Sequence, residues 1–183
     1  MNILRFIIIL IPLLGTACGM TGRVLPGDAI LLSDVPFIQQ DDFQCGPSAL
    51  AMVINYWDIK MGTGRNISLG KIIEDIYSPT ARGVLGLDLE IYARKMGFVT
   101  KCYAGSIDDV KRRINEGIPL ILLVDYGISS YQRNHFLVTT GYMKDAIIVN
   151  SGRRQHEIIH EEKLKRIWKK TDFWTLLIRP SSL

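Results

Sequence analysis

The chain has 183 residues, of which 48% are hydrophobic and 22% charged, with a formal net charge of +4. That length suits one domain with a sizeable core, and the absence of internal repeats and low-complexity tracts excludes fibrous and disordered classes. From Lys144 to Leu183 there are nine Lys or Arg against five Asp or Glu, but these alternate with Ile and Trp as on a solvated helix face, which excludes a nucleic-acid stripe.

The amino terminus reads as an export signal: Arg5, an apolar run from Phe6 to Leu14, then Gly15-Thr16-Ala17-Cys18. The run is too short for a permanent membrane span. Cleavage before Cys18 would leave a lipid-bearing cysteine, and Gly19 in place of Asp favours the outer membrane, facing the periplasm of a Gram-negative bacterium. The expected organisation is a signal over residues 1–17, a tether over 18–34 and a single domain over 35–183.

Residues Val35 to Trp57 (VPFIQQDDFQCGPSALAMVINYW) carry the strongest signal. A polar, Gln-rich loop runs into Cys45, then Gly46-Pro47, then a helix with Leu50, Val53, Ile54 and Trp57 on one stripe. Pro47 suits a first helical turn. The Cys45 sulfur is therefore expected at a helix N-terminus, where the positive end of the macrodipole favours a thiolate.

Ser68 is the expected N-cap of a short helix reaching about Tyr77, and a further helix over Leu87–Met96 ends at Gly97. Phe98-Val-Thr-Lys-Cys-Tyr103 alternates like a strand, with Cys102 read as a small buried residue. Ser106 and Asp108-Asp109 open a helix that ends near Gly117. From Pro119 the character turns to β: Leu120–Val124 is a buried strand, strands through His135, Asn150 and Ile158 follow, and Phe173–Ile178 closes the sheet. Helices first and strands later indicate an α+β domain.

A thiol nucleophile needs a base, and the base needs an orienter. The chain has three histidines, His135, His156 and His160. A hairpin around Lys144-Asp145 would bring Asn150 alongside His135, so Cys45, His135 and Asn150 form the expected triad, in a cleft between helices and sheet. Tyr126–Arg133 is the polar connection just before His135.

The segments FIQQDDFQCGPSALAMVINYW, NHFLVTTGY and IIVNSG resemble the C39-like cysteine peptidases, and among them the stand-alone, exported, lipoprotein-type members. The resemblance spans roughly Val35 to Pro180. It implies a papain-like fold, with N-terminal helices carrying the nucleophile packed on a C-terminal antiparallel sheet. It also implies Cys45 as nucleophile, His135 as general base, and an upstream Gln completing an oxyanion hole with the Cys45 N–H. Gapless alignment selects Gln40, and the six-residue spacing common in thiol proteases selects Gln39. Bacteriocin-processing members usually carry Asp as the third residue, where this chain has Asn150, the residue type that serves in papain-like proteases. A peptide or protein substrate and no cofactor are implied; an amine acceptor would make the same site an acyltransferase, and loss of turnover would leave a binding module.

One competing pattern, His156-Glu-Ile-Ile-His160, matches H-E-x-x-H zinc sites. The β-branched Ile158-Ile159 predicts a strand instead, on which the two imidazoles stand about 13 Å apart, too far for one zinc. No metal is expected.

Overall fold

Helix α1 (Cys45–Met61) is buried on every side from Gly46 to Asp58, in the computed structural model that describes residues 27–182. The expected signal, Cys18 and the first part of the expected tether lie outside those residues. The sequence suggested one apolar stripe, but Ala49, Ala51 and Met52 are buried along with Leu50, Val53, Ile54 and Trp57. A helix apolar all round belongs at the centre of a fold. Two polar tips find partners there: Tyr56 Oη donates to the Gly117 carbonyl at 2.6 Å and Trp57 Nε1 to that of Ile178 at 2.8 Å.

Two shorter helices pack against α1. Helix α2 (Leu69–Ile76) is capped as expected, with Ser68 Oγ accepting the Lys71 N–H at 3.2 Å. Helix α3 (Gly86–Lys95) precedes the turn at Gly97 and packs on strand β2 (Phe98–Ala104). Helix α4 (Ile107–Asn115) is capped by Ser106, whose Oγ accepts the Asp109 N–H at 3.1 Å.

The sheet is antiparallel throughout. Its strands are β2, β3 (Leu120–Asp125), β4 (Asn134–Met143), β5 (Ala146–Ser151), β6 (Arg154–His160) and β7 (Trp174–Pro180), ordered β2-β7-β3-β4-β5-β6. Helix α5 (Glu161–Lys169) packs against β3, burying Leu164, Ile167 and Trp168. Five helices and this sheet make the expected α+β, papain-like arrangement.

Three features differ from the sequence reading. Ile30–Leu31, placed in the tether, form strand β1, paired with the far end of β4, Ile30 opposite Tyr142 and Leu31 opposite Gly141. A two-residue strand has no periodicity to read, and its pairing is long-range. β7 does not close the sheet at an edge; it lies between β2 and β3, and residues 175–178 are fully covered. Cys102 is exposed, because β2 is an edge strand and only its first residue, Phe98, is buried. Among the described residues no helix is long and apolar enough to cross a membrane.

Candidate active site

Cys45 is the first residue of α1, and three local features fix it there. Ser48, one turn on, donates its hydroxyl to the Ile38 carbonyl at 2.6 Å, which clamps the segment leading to Gln39 and Gln40 over the start of the helix. Phe43 adopts φ 64°, turning the loop back toward the helix. Gly46 has no room for a side chain: a Cβ there would stand 2.2 Å from Val84 Cγ2 and 3.3 Å from the Phe136 ring. The helix end is thus seated between the Val84 loop and β4, and Trp174 backs Phe136 edge-on at 5.7 Å.

The backbone N–H groups of Phe136, Gly46 and Cys45 itself pull the pKa of the Cys45 thiol down. Phe136 follows His135 directly on β4. Burial pushes the Cys45 thiol above its ordinary pKa, and the three N–H groups only partly offset it. At the helix end, desolvation thus outweighs the backbone dipoles that were expected to favour a thiolate.

His135 is the second residue of β4, opposite Val124 of β3. Burial, and then the nearby Arg133 charge, pull its pKa down to about 4, so the imidazole is neutral at pH 7. Its Nε2 lies 3.2 Å from Ser151 Oγ. With Nε2 engaged, Nδ1 is the ring nitrogen left free. The Tyr126 ring stands at 5.9 Å from the imidazole, tilted by 49°.

Asn150, the expected orienter, makes its hydrogen bonds elsewhere than at His135. It is buried at 1% exposure, its Oδ1 accepts the His156 N–H at 3.1 Å, and its Nδ2 faces Met52 Sδ at 3.6 Å. The cause is strand parity. Asn150 lies opposite Val138, three residues from His135, and side chains alternate between faces. Continuing that register by one sets Ser151 against Leu137, on the face that His135 shares, as its diagonal neighbour. A register shift between Val149 and Ser151 marks an irregularity in the ladder to β6, and Asn150 fills it by taking the His156 N–H. The sequence signal that could have found Ser151 was this alternation, counted from His135.

Gln39 is exposed and Gln40 half-buried, both on the segment pinned by Ser48. His156, Glu157 and His160 lie on strand β6, and Glu157 is bound by Arg154 at 2.6 Å. Among the described residues no group of three His, Cys, Asp or Glu side chains is placed to hold a metal ion.

The connection from Tyr126 to Arg133 is held by Asp125, a buried carboxylate at the end of β3. Its Oδ1 accepts the N–H groups of Arg133 at 2.7 Å and Gly127 at 2.6 Å, which hold the carboxyl below its usual range. Lys170 Nζ donates to the Gly127 carbonyl at 2.6 Å. Gly127 is required by close approach, since a Cβ would fall 1.8 Å from the Tyr131 carbonyl oxygen. The tip of this connection exposes Ile128 and Tyr131, and Phe43, with Arg82 over its ring at 5.8 Å, is exposed on the loop before Cys45.

Solved structures with this fold include a C39-like peptidase candidate from Bacillus anthracis, 17% identical, with a TM-score of 0.67 over 83% of this chain and 98% of that one. The peptidase domain of Streptococcus ComA, a bifunctional ABC transporter of a quorum-sensing pathway, is 19% identical, with a TM-score of 0.62 over 80% and 99%. A double-glycine-motif protease from an AMS/PCAT transporter, solved with a leader peptide, is 22% identical, with a TM-score of 0.63 over 80% and 92%. At these identities the likeness is one of fold. A search of curated proteins found no match. The family model described as Peptidase_C39 like matches residues 32–175, which takes in Cys45, His135 and Ser151. The chain belongs to the Peptidase_C39 like family.

Proposed function

We propose that the protein is a cysteine peptidase in which Cys45 attacks the scissile carbonyl of a peptide substrate. What supports this reading is the family match over residues 32–175 together with Cys45 at the head of α1, where Gly46 packs against Phe136 of β4, and a neutral His135, the residue before Phe136, whose Nε2 lies 3.2 Å from Ser151 Oγ.

Both resting groups are uncharged, so attack and proton transfer are coupled. His135 Nδ1 takes the thiol proton as sulfur bonds to the carbonyl carbon. The carbonyl π pair moves to oxygen, where the Cys45 N–H and Gln40 receive the oxyanion. Gln40 is preferred to Gln39 because it is half-buried, whereas Gln39 is exposed. Collapse of the tetrahedral adduct breaks the C–N bond, and the imidazolium gives its proton to the leaving amine. Water, deprotonated by His135, then hydrolyses the thioester and restores the thiol. Ser151 takes the orienting role in this scheme, in place of Asn150.

Peptide substrates are supported by the family and by the leader peptide bound to the AMS/PCAT transporter protease. Export and lipidation at Cys18, with an outer-membrane position, rest on the amino-terminal sequence alone. Loss of membrane association in Cys18→Ala tests the anchor; an unchanged membrane fraction counts against it.

The catalytic reading is tested with a peptide bearing a thiol-reactive electrophile at the scissile position. Wild-type protein is expected to be labelled at Cys45, and Cys45→Ala and His135→Ala are not. Equal labelling of wild type and His135→Ala would overturn the assignment of the base.

A further inference from the structure

A groove of about 540 Å³ lies between the loop that enters α4 and the exposed side of α5, and it shares no residue with the Cys45–His135 site. Gly105 and Ile107 line it from the loop and α4, Lys165, Arg166 and Lys169 from α5, and Phe173 from the turn that follows α5. Local backbone features shape it. A Cβ at Gly105 would fall 2.5 Å from Thr175 Oγ1 and 3.0 Å from the Trp168 ring, so only glycine lets the loop lie this close to the sheet. Asp172 and Phe173 both adopt positive φ, 53° and 55°, which is rare for a bulky side chain. The Phe173 N–H donates to the Trp168 carbonyl at 3.1 Å, and the two rings meet edge-on at 5.5 Å. Phe173 is thereby held half-buried at the groove.

The charge of this groove is one-sided. Among the described residues, the ion pairs made by α5 use only Glu161, Glu162 and Lys165. Lys165 Nζ is held by Glu162 at 2.9 Å and Glu161 at 3.8 Å, and Glu161 also binds Lys111 of α4 at 2.6 Å. Arg166 and Lys169, both exposed and three residues apart on α5, are left without a carboxylate partner. The first turn of α4, the positive end of its dipole, borders the same space through Ser106 and Ile107. Cationic side chains lay their methylene stems along apolar surface and keep their heads in water. Beside Phe173, they offer apolar contact and positive charge together, which suits an anionic head joined to an apolar chain.

We propose that the groove binds the headgroup of an anionic phospholipid and seats the α4–α5 side of the domain on a bilayer. The course of the chain agrees with this. Strand β1, where the described residues begin, pairs with β4 and packs on α4, and the Tyr142 hydroxyl opposite Ile30 donates to Asn115 at the end of α4. The groove lies at the other end of that helix, whose nine residues span about 14 Å. Cys18 precedes Gly27 by nine residues, which reach about 30 Å when extended. A lipid on Cys18 and a headgroup in the groove can therefore belong to one bilayer. The membrane meaning of the groove rests on the proposed export and lipidation, whereas lipid binding by the groove does not.

Amide NMR of the full chain, titrated with short-chain phosphatidylglycerol below its micellar concentration, reads the groove directly. Saturable shifts are expected at Gly105, Ser106 and Phe173, and much weaker ones with phosphatidylcholine of the same chain length or with glycerol phosphate. Arg166→Gln combined with Lys169→Gln should weaken phosphatidylglycerol binding there at least about tenfold, through loss of two charge-assisted contacts. Lys163→Gln removes an exposed charge of α5 outside the groove and should leave the affinity nearly unchanged. Peptide-electrophile labelling of Cys45 should be the same in all these variants. Equal shifts with phosphatidylcholine would reduce the site to an apolar one, and equal shifts with glycerol phosphate to an anion site; either overturns the proposal. So would retained affinity in the double variant, an equal loss in Lys163→Gln, or no shift at the three residues. Groove binding together with an unchanged membrane fraction in Cys18→Ala would leave the groove standing and overturn the anchor. Membrane association that depends on Cys18, with no shift at the groove, would do the reverse.

Discussion

His135 Nε2 and Ser151 Oγ lie 3.2 Å apart across β4 and β5, while Asn150, one residue earlier, turns its amide toward Met52 and the His156 N–H. Two adjacent polar residues thus have separate roles, one at the imidazole and one in the ladder. Ser151→Ala is expected to lower kcat about tenfold or more while leaving stability nearly unchanged. Asn150→Ala is expected to cost about 1–3 kcal/mol, because the His156 N–H loses its buried acceptor. Paired steady-state kinetics and urea denaturation separate the two; a larger kcat loss in Asn150→Ala would reverse the assignment.

The position of Ser151 also shows what the sequence could and could not reveal. The caps at Ser68 and Ser106, the helix beginning at Cys45 and the strand runs from Leu120 onward were legible, because each is a local pattern of turn chemistry or periodicity. The partner of His135 was not, because it depends on register across a hairpin, where one step changes the face. The strand at Ile30–Leu31, the interior place of β7 and the exposure of Cys102 were hidden for a related reason: sheet order is set by long-range pairing. Neither the burial of α1 on every side nor the approach of Tyr126 to His135 leaves a mark in any single window of sequence.

Acid should destabilise the fold through His135. Its pKa is about 4 in the folded state and 6.5 in the reference state, so between these values the unfolded chain binds more protons. The contribution is fully present above pH 6.5 and is lost as pH falls toward 4, amounting to about 3 kcal/mol at most. Chemical denaturation across this range should show the slope in wild type and a shallower one in His135→Gln. Identical slopes would contradict the burial of a neutral imidazole. For the same reason the acid limb of kcat/KM should lie well below pH 6.5, and Ser151→Asp should move it upward.

Gly46 is a steric requirement. In Gly46→Ala the new methyl meets Val84 Cγ2 at 2.2 Å, so the helix end or the Val84 loop must shift, at a cost of about 1–3 kcal/mol. Peptide-electrophile labelling of Cys45 should slow as well. Gly46→Ala combined with Val84→Ala should recover much of both; failure to recover either would point to the Phe136 ring as the obstacle.

The oxyanion assignment separates two neighbouring glutamines. Gln40→Ala should lower kcat by about 10²–10³-fold, and Gln39→Ala should have little effect. Ser48→Ala removes the clamp on the Ile38 carbonyl and should weaken both stability and kcat, the latter by disordering the same segment. Comparable losses in the two glutamine variants would show that burial does not decide between them.

Cys102 supplies an internal control for the reactivity of Cys45, since it is free and exposed on an edge strand, whereas Cys45 is partly covered. The most direct measurement is site-resolved labelling by mass spectrometry, comparing iodoacetamide with an electrophilic peptide in wild type and His135→Ala. The account predicts that iodoacetamide modifies Cys102 readily, that the peptide electrophile modifies Cys45 in wild type in strong preference to Cys102, and that this preference disappears in His135→Ala. Modification of both cysteines by the peptide at similar rates, or a preference for Cys45 that survives loss of His135, would contradict it.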